Sequence, residues 1–247
     1  MTRDPSSNRT RRGLRQMARI AVLGGCALSL LALAGCQGAV VGSELSARPR
    51  PRPISASDGG VLRLPADEKF SIHLAPSQQE PGLDGTARAS ADAKPEGDAA
   101  AQAEVENGGK AAATFQLGHA LANDSSRQVA LQFNVKFAYE FEAASTPVNT
   151  PGATLSLKLY ARDGRNRVLT TLPVLEHASE DGSASSSGDK QLHFSLTLGP
   201  GESASVFLAG NARIEAPYGR SARGALTLRG LTMEIETRPA PPVKTAE

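Results

Sequence analysis

Covalent catalysis needs a serine or cysteine held beside a base, and a metal centre needs clustered His, Cys, Asp or Glu. The chain offers two cysteines, Cys26 and Cys36, and four histidines, His73, His119, His177 and His193. The histidines lie far apart in sequence and form no His-x-His or His-Glu-x-x-His spacing. Gly201-Glu202-Ser203-Ala204-Ser205 approaches a nucleophile elbow but ends in serine where the last glycine belongs. Glu176, His177, Glu180 and Asp181 are the densest set of ligand types. They stand where a strand runs into a polar loop, so they read as solvated charge. Asp58-Gly59, Asp84-Gly85, Asp163-Gly164 and Asp181-Gly182 read as turns, and no run matches an EF-hand loop. A glycosidase-type carboxylate pair stays open, because its partners can be distant in sequence. Sugar sites usually present aromatic faces, which leaves Tyr160 and Tyr218 as candidate ligand-surface residues. Tyr139 shares the parity of apolar neighbours and reads as core. The expectation is a protein with no catalytic residue, no metal and no cofactor.

Both cysteines fall in the N-terminal leader region. Arg3, Arg9, Arg11, Arg12, Arg15 and Arg19 precede an apolar run from Ile20 to Ala34, which Gly35 and Cys36 close. That order fits a secretory signal. Fifteen residues, two of them glycine, are short of the roughly 20 a membrane-spanning helix needs. The positive flank stays cytoplasmic, so Cys36 emerges outside. Leu33-Ala34-Gly35-Cys36 resembles the lipobox of bacterial lipoproteins, with leucine at −3, small residues at −2 and −1, and cysteine at +1. The resemblance covers residues 1–36. It implies cleavage between Gly35 and Cys36 and a diacylglycerol thioether on Cys36, often with a third chain on the freed amine. One acyl chain binds a membrane only marginally, whereas two or three hold it for long times. Gln37 follows the cysteine. In that family an aspartate there often marks inner-membrane retention, so its absence favours the outer membrane in a diderm host and the outer face of the plasma membrane otherwise. Thr10-Arg11-Arg12-Gly13-Leu14-Arg15 loosely resembles a twin-arginine export signal, although Arg15 stands where a second apolar residue is expected. A basic leader alone also accounts for these arginines.

Cleavage changes what the composition means. The full chain carries 27 basic and 25 acidic residues, a formal charge of +2. Six basic residues and one acidic residue fall in 1–35, which leaves 21 and 24, a net charge of −3. A nucleic-acid partner loses its electrostatic support. The processed chain keeps no cysteine except the lipidated one, so disulfides and thiol chemistry are excluded although the compartment permits them. With no Trp, three Tyr and seven Phe, the core must come mainly from Leu, Val, Ile and Ala.

The elements that would position any site follow from periodicity. Residues 36–60 read as a tether; Arg48-Pro49-Arg50-Pro51-Arg52-Pro53 places proline at every second position, an extended spacer with a basic surface. Residues 61–110 read as one or two strands followed by a linker. Phe70, Ile72 and Leu74 alternate with polar neighbours, but 76–110 is rich in Ala, Gly, Asp, Glu and Pro and poor in large apolar side chains. A short helix is expected over Asp98–Glu106. From 111 to 236 the pattern is β. Val129, Leu131, Phe133, Val135, Phe137, Tyr139 and Phe141 occupy odd positions of one long segment, with mostly polar residues or alanine between them. Asp163-Gly164 predicts a tight hairpin. Pro173 predicts an edge or a strand end, Ser179–Asp189 a polar loop, and Gly199-Pro200-Gly201-Glu202 a turn. Leu226 and Leu228 are even while Leu231, Met233 and Ile235 are odd; a β-bulge at Gly230 would restore one inward face. Residues 237–247 read as a frayed tail.

Seven to nine strands with turns between them predict an antiparallel β-sandwich, immunoglobulin-like or jelly-roll. The functional expectation is a lipid-anchored cell-envelope protein with a non-enzymatic binding or scaffolding domain. Its expected partners are the membrane, through the anchor, and an envelope protein or cell-wall polymer. A carbohydrate- or cell-wall-binding module and an envelope hydrolase are the competing readings.

Overall fold

The computed structural model describes residues 49–55, 59–146, 152–178 and 183–240. Cys36, Gly35 and the rest of the leader lie outside the described residues, as do Glu180, Asp181 and residues 241–247. The described chain contains strands and turns, arranged in two sheets packed face to face as a β-sandwich.

One sheet follows the order β1 (Arg52–Ile54), β7 (Gly109–Asn123), β12 (Ser203–Ala216), β9 (Ala153–Asp163), β10 (Val168–Ala178). Here β3 (Ile72–Leu74) and β4 (Ser77–Pro81) also pair with β7. The second sheet follows the order β11 (Ala184–Leu198), β8 (Val129–Thr146), β13 (Ser221–Pro239), β6 (Ala99–Glu106), β5 (Thr86–Ala93), with β2 (Val61–Leu64) also on β13. All pairings are antiparallel except β1 with β7.

The long strand predicted at Val129 is β8, and it runs on to Thr146. Its Val129, Leu131, Phe133, Val135, Phe137 and Phe141 are buried, while Gln132, Lys136, Glu140 and Glu142 are exposed. Tyr139 packs partly buried against this core. The bulge stands where the phase slip predicts it. Arg229 pairs with Ala138 and Thr232 with Lys136, so Gly230 and Leu231 together face Phe137. Gly230 adopts φ +60°, which a side chain would strain. Its N–H donates to Asp98 Oδ1 at 2.9 Å, and the Leu231 N–H donates to the Gly97 carbonyl at 2.8 Å. On either side of the slip Leu226, Leu228, Leu231, Met233 and Ile235 all point into the core.

Several expectations are corrected. The expected span holds seven strands, β7 to β13, within the seven to nine predicted, but six more, β1 to β6, precede them and bring the described residues to thirteen. Residues 76–110 are not a linker: they form β4, β5 and β6, and Asp98–Glu106 is strand rather than helix. Ala99, Ala101, Ala103 and Val105 are buried, and Ala87, Ala89, Ala91 and Ala93 pack beside them. Small side chains suffice here because the two sheets approach closely. Elsewhere a large residue meets a gap: Phe115 faces Gly210 across β7 and β12, where an added Cβ would stand 2.2 Å from the ring.

Residues 52–54, expected as tether, are strand. Arg52–Ile54 joins the sheet beside β7, Ile54 is buried, and Arg52 forms an ion pair with Glu68. Strands β2 and β3 likewise belong to the sandwich. Residues 184–189 lengthen β11 instead of forming a loop, and Thr237–Pro239 extend β13 rather than fraying. Pro173 lies on the edge strand β10, at a register shift. The Asp163-Gly164 hairpin is also built differently. Asp163 opens a turn in which Asn166 N–H donates back to its carbonyl at 2.8 Å, and Asn166 carries the positive φ of 65°. This is the three-residue loop that combines a type I turn with a left-handed residue. The Asp163 carboxylate accepts from the N–H of Arg165 and Arg167, which holds its pKa low.

Candidate functional site

The residues singled out by type are dispersed by the fold. His73 is exposed on β3, His119 is buried on β7, His177 stands 5.4 Å from Phe141 on β10, and His193 is exposed on β11. Among the described residues no three His, Cys, Asp or Glu side chains gather as a metal site. Glu176 forms an ion pair with Lys158, whose pKa is raised by that contact. Glu202 accepts the Gly199 N–H at 2.7 Å and closes the predicted turn, where Gly201 carries φ +71°. That carboxylate is structural.

The two candidate tyrosines do not share a surface. Tyr160 lies on the outer face of the first sheet, opposite Phe207, with ring centroids 5.7 Å apart. The Arg162 guanidinium caps both rings at 5.3 Å, and its Nη1 donates to Asn166 Oδ1 at 3.0 Å. Ile72, Ala120 and Phe207 are buried in this row, so Tyr160 serves as packing. Tyr218 is 72% exposed in the turn between β12 and β13. From Phe207 to the end of β12 at Ala216 is nine residue steps, about 30 Å of strand.

The structure instead gathers polar side chains on the outer face of the second sheet. Even positions of β8 point outward, and the register aligns Gln132 with Glu236 and Ser195, and Asn134 with Glu234 and His193. Arg63 and Val61 on β2 continue the two rows beyond Glu234 and Glu236. These rows line an open hollow of about 490 Å³, bounded by Val61, Gln132, Asn134, His193, Ser195, Glu234 and Glu236; Phe133 and Phe194, which stand between them in the strands, complete the lining, while their rings stack at 4.6 Å on the inward face of the sheet.

Its centre is fixed by hydrogen bonds. Asn134 Nδ2 donates to Glu234 Oε2 at 3.1 Å, and Asn134 Oδ1 accepts from Gln191 Nε2 at 2.9 Å. Both carboxylates have cationic partners: Arg63 Nε stands 3.6 Å from Glu234, and Arg238 makes a two-pronged contact with Glu236 at 2.8 and 2.9 Å. A carboxylate so held is an oriented hydrogen-bond acceptor. Sequence reading weighed His193 as a metal ligand and left the others to the polar parity of their strands. Nothing in a linear pattern says which outward face is hollow.

No family model matches the chain, and no curated protein is similar to it in sequence. Among solved structures it is similar to that of infectious bursal disease virus Gx strain, at 9% identity over 74% of this chain and 37% of that one, with a TM-score of 0.20. It is also similar to an arabinose-bound MgGH51 α-L-arabinofuranosidase, at 14% identity over 65% of this chain and 23% of that one, with a TM-score of 0.18. A third is the CBM22-1 xylan-binding domain of Paenibacillus barcinonensis Xyn10C, at 13% identity over 68% of this chain and 95% of that one, with a TM-score of 0.19. Scores this low carry no argument about ligand or activity.

Proposed function

We propose that this chain is a lipid-anchored protein of the bacterial cell envelope whose β-sandwich is a non-enzymatic binding or scaffolding module. Leu33-Ala34-Gly35-Cys36 supports the anchor. The observation that carries the binding role is the polar hollow across β2, β13, β8 and β11, whose central amide and both carboxylates are held in place on a sheet. Groups already oriented lose little freedom on meeting a ligand. The hydrolase reading asks for two acids facing across a deep cleft; Glu234 and Glu236 stand side by side on one strand, each with an arginine. The anchor is tested by Cys36→Ser, which should abolish labelled palmitate incorporation; retained label overturns it. The binding role is tested by mild-detergent pull-down of the acylated protein, which should recover one specific envelope component. Recovering none, while the purified protein turns over an envelope substrate, overturns it.

A further inference from the structure

We infer that the hollow on the outer face of the second sheet takes a neutral, polyhydroxylated ligand, a short stretch of uncharged glycan. The inference rests on the binding-module reading and names its ligand. Three properties of the hollow lead to it.

The first is charge. Glu234 and Glu236 are matched by Arg63 and Arg238. A cationic ligand would have to compete with these arginines and an anionic one with these carboxylates, whereas a neutral ligand competes with neither. The second is hydrogen-bonding capacity. Asn134 uses one N–H and one lone pair in the network, which leaves one of each. Gln132, His193 and Ser195 make no side-chain hydrogen bond among the described residues, and all three are exposed. Amide, imidazole and hydroxyl groups both donate and accept, which suits hydroxyls of either sense. The third is spacing. Neighbouring strands stand about 4.8 Å apart, so the row from β2 to β11 spans about 14 Å. A short oligosaccharide fits that length. Val61 at one end and the His193 ring at the other offer non-polar faces to sugar C–H groups.

The test uses the full acylated protein in detergent micelles. Xylohexaose, cellohexaose and chitohexaose are titrated by calorimetry, with oligolysine and oligoglutamate as charged probes. At least one neutral hexamer should bind saturably. Asn134→Ala should weaken it about tenfold, the loss of one well-placed hydrogen bond, and Ser195→Trp should remove binding by filling the hollow. Thermal melting of Ser195→Trp should match the parent, since that side chain is exposed, and Asn134→Ala should stay folded with a small drop for its two lost hydrogen bonds. Failure of every neutral hexamer, or binding that both variants leave unchanged, overturns the glycan assignment; so does preferential binding of a charged probe. If the hexamers fail but the pull-down still yields a partner that Ser195→Trp loses, the binding module stands and only its ligand class is wrong. If both experiments come back empty, the binding module falls as well.

Discussion

Asn123 holds one end of the sandwich together. Its Nδ2 donates to the carbonyls of Arg127, Leu198 and Gly199 at 2.8 to 3.0 Å, and its Oδ1 accepts from the N–H and hydroxyl of Ser125. Its own backbone N–H donates to the Glu202 carbonyl, and its carbonyl accepts from Gly201. One buried amide thus ties the end of β7 to the starts of β8 and β12 and the end of β11. Asn123→Ala leaves several of these groups without a partner and should cost about 2–4 kcal/mol in urea denaturation. Asn123→Asp should be at least as damaging, because it aims a carboxylate at carbonyl oxygens. The turn at Ala122–Ser126 was legible from its residue types. The hub was not, because Leu198 lies 75 residues away in sequence. Tyr160 shows the same limit: its parity placed it on the outer face, but Phe207 and Arg162 turn it into packing.

At the scale of elements, strands β1 to β6 fill edges that the long strands leave open. The free edge of β7 is covered in turn by β4, β3 and β1, and one edge of β13 by β6 and then β2. The bulge at Gly230 falls at this handover on β13, beside the Gly97–Asp98 turn. Large apolar side chains made the period of β8 obvious. Alanine hides the period of β5 and β6, because its own preference for strands is weak and its burial comes from the opposing sheet. Ala101 is fully buried and Ala100 faces outward. Ala101→Leu should therefore overpack the interface and cost about 1–3 kcal/mol, while Ala100→Lys should stay within about 0.5 kcal/mol of the parent. Thermal denaturation of the pair measures this. Equal, negligible effects would mean that the segment behaves as a linker after all.

Stability as a whole should depend on pH through His119. The side chain is 1% exposed, and its Nδ1 accepts the Ser71 N–H at 3.3 Å. Burial lowers its pKa below the ordinary 6.5, with Glu68 opposing and Arg52 adding to the shift. Protonation would also set an Nδ1–H against the Ser71 N–H. Below pH 6.5 the unfolded chain binds the proton and the folded one resists it. This contribution is therefore full above that pH and is lost as pH falls below it. His119→Asn keeps an acceptor for Ser71 and should flatten the stability profile as pH falls below 6.5. An unchanged slope in denaturation midpoints would place the effect elsewhere.

The linear chain determined what depends on local order and parity. Sheet class, the long β8 and the bulge at Gly230 all follow from neighbours within a few residues. Tertiary structure alone decided which small-residue segments are core, since burial of alanine requires a second sheet at close range. It also decided that Asn123 is a hub and that Gln132, Asn134, Ser195 and Glu234 share a hollow. Those residues come from three strands, and only the pairing register brings them side by side.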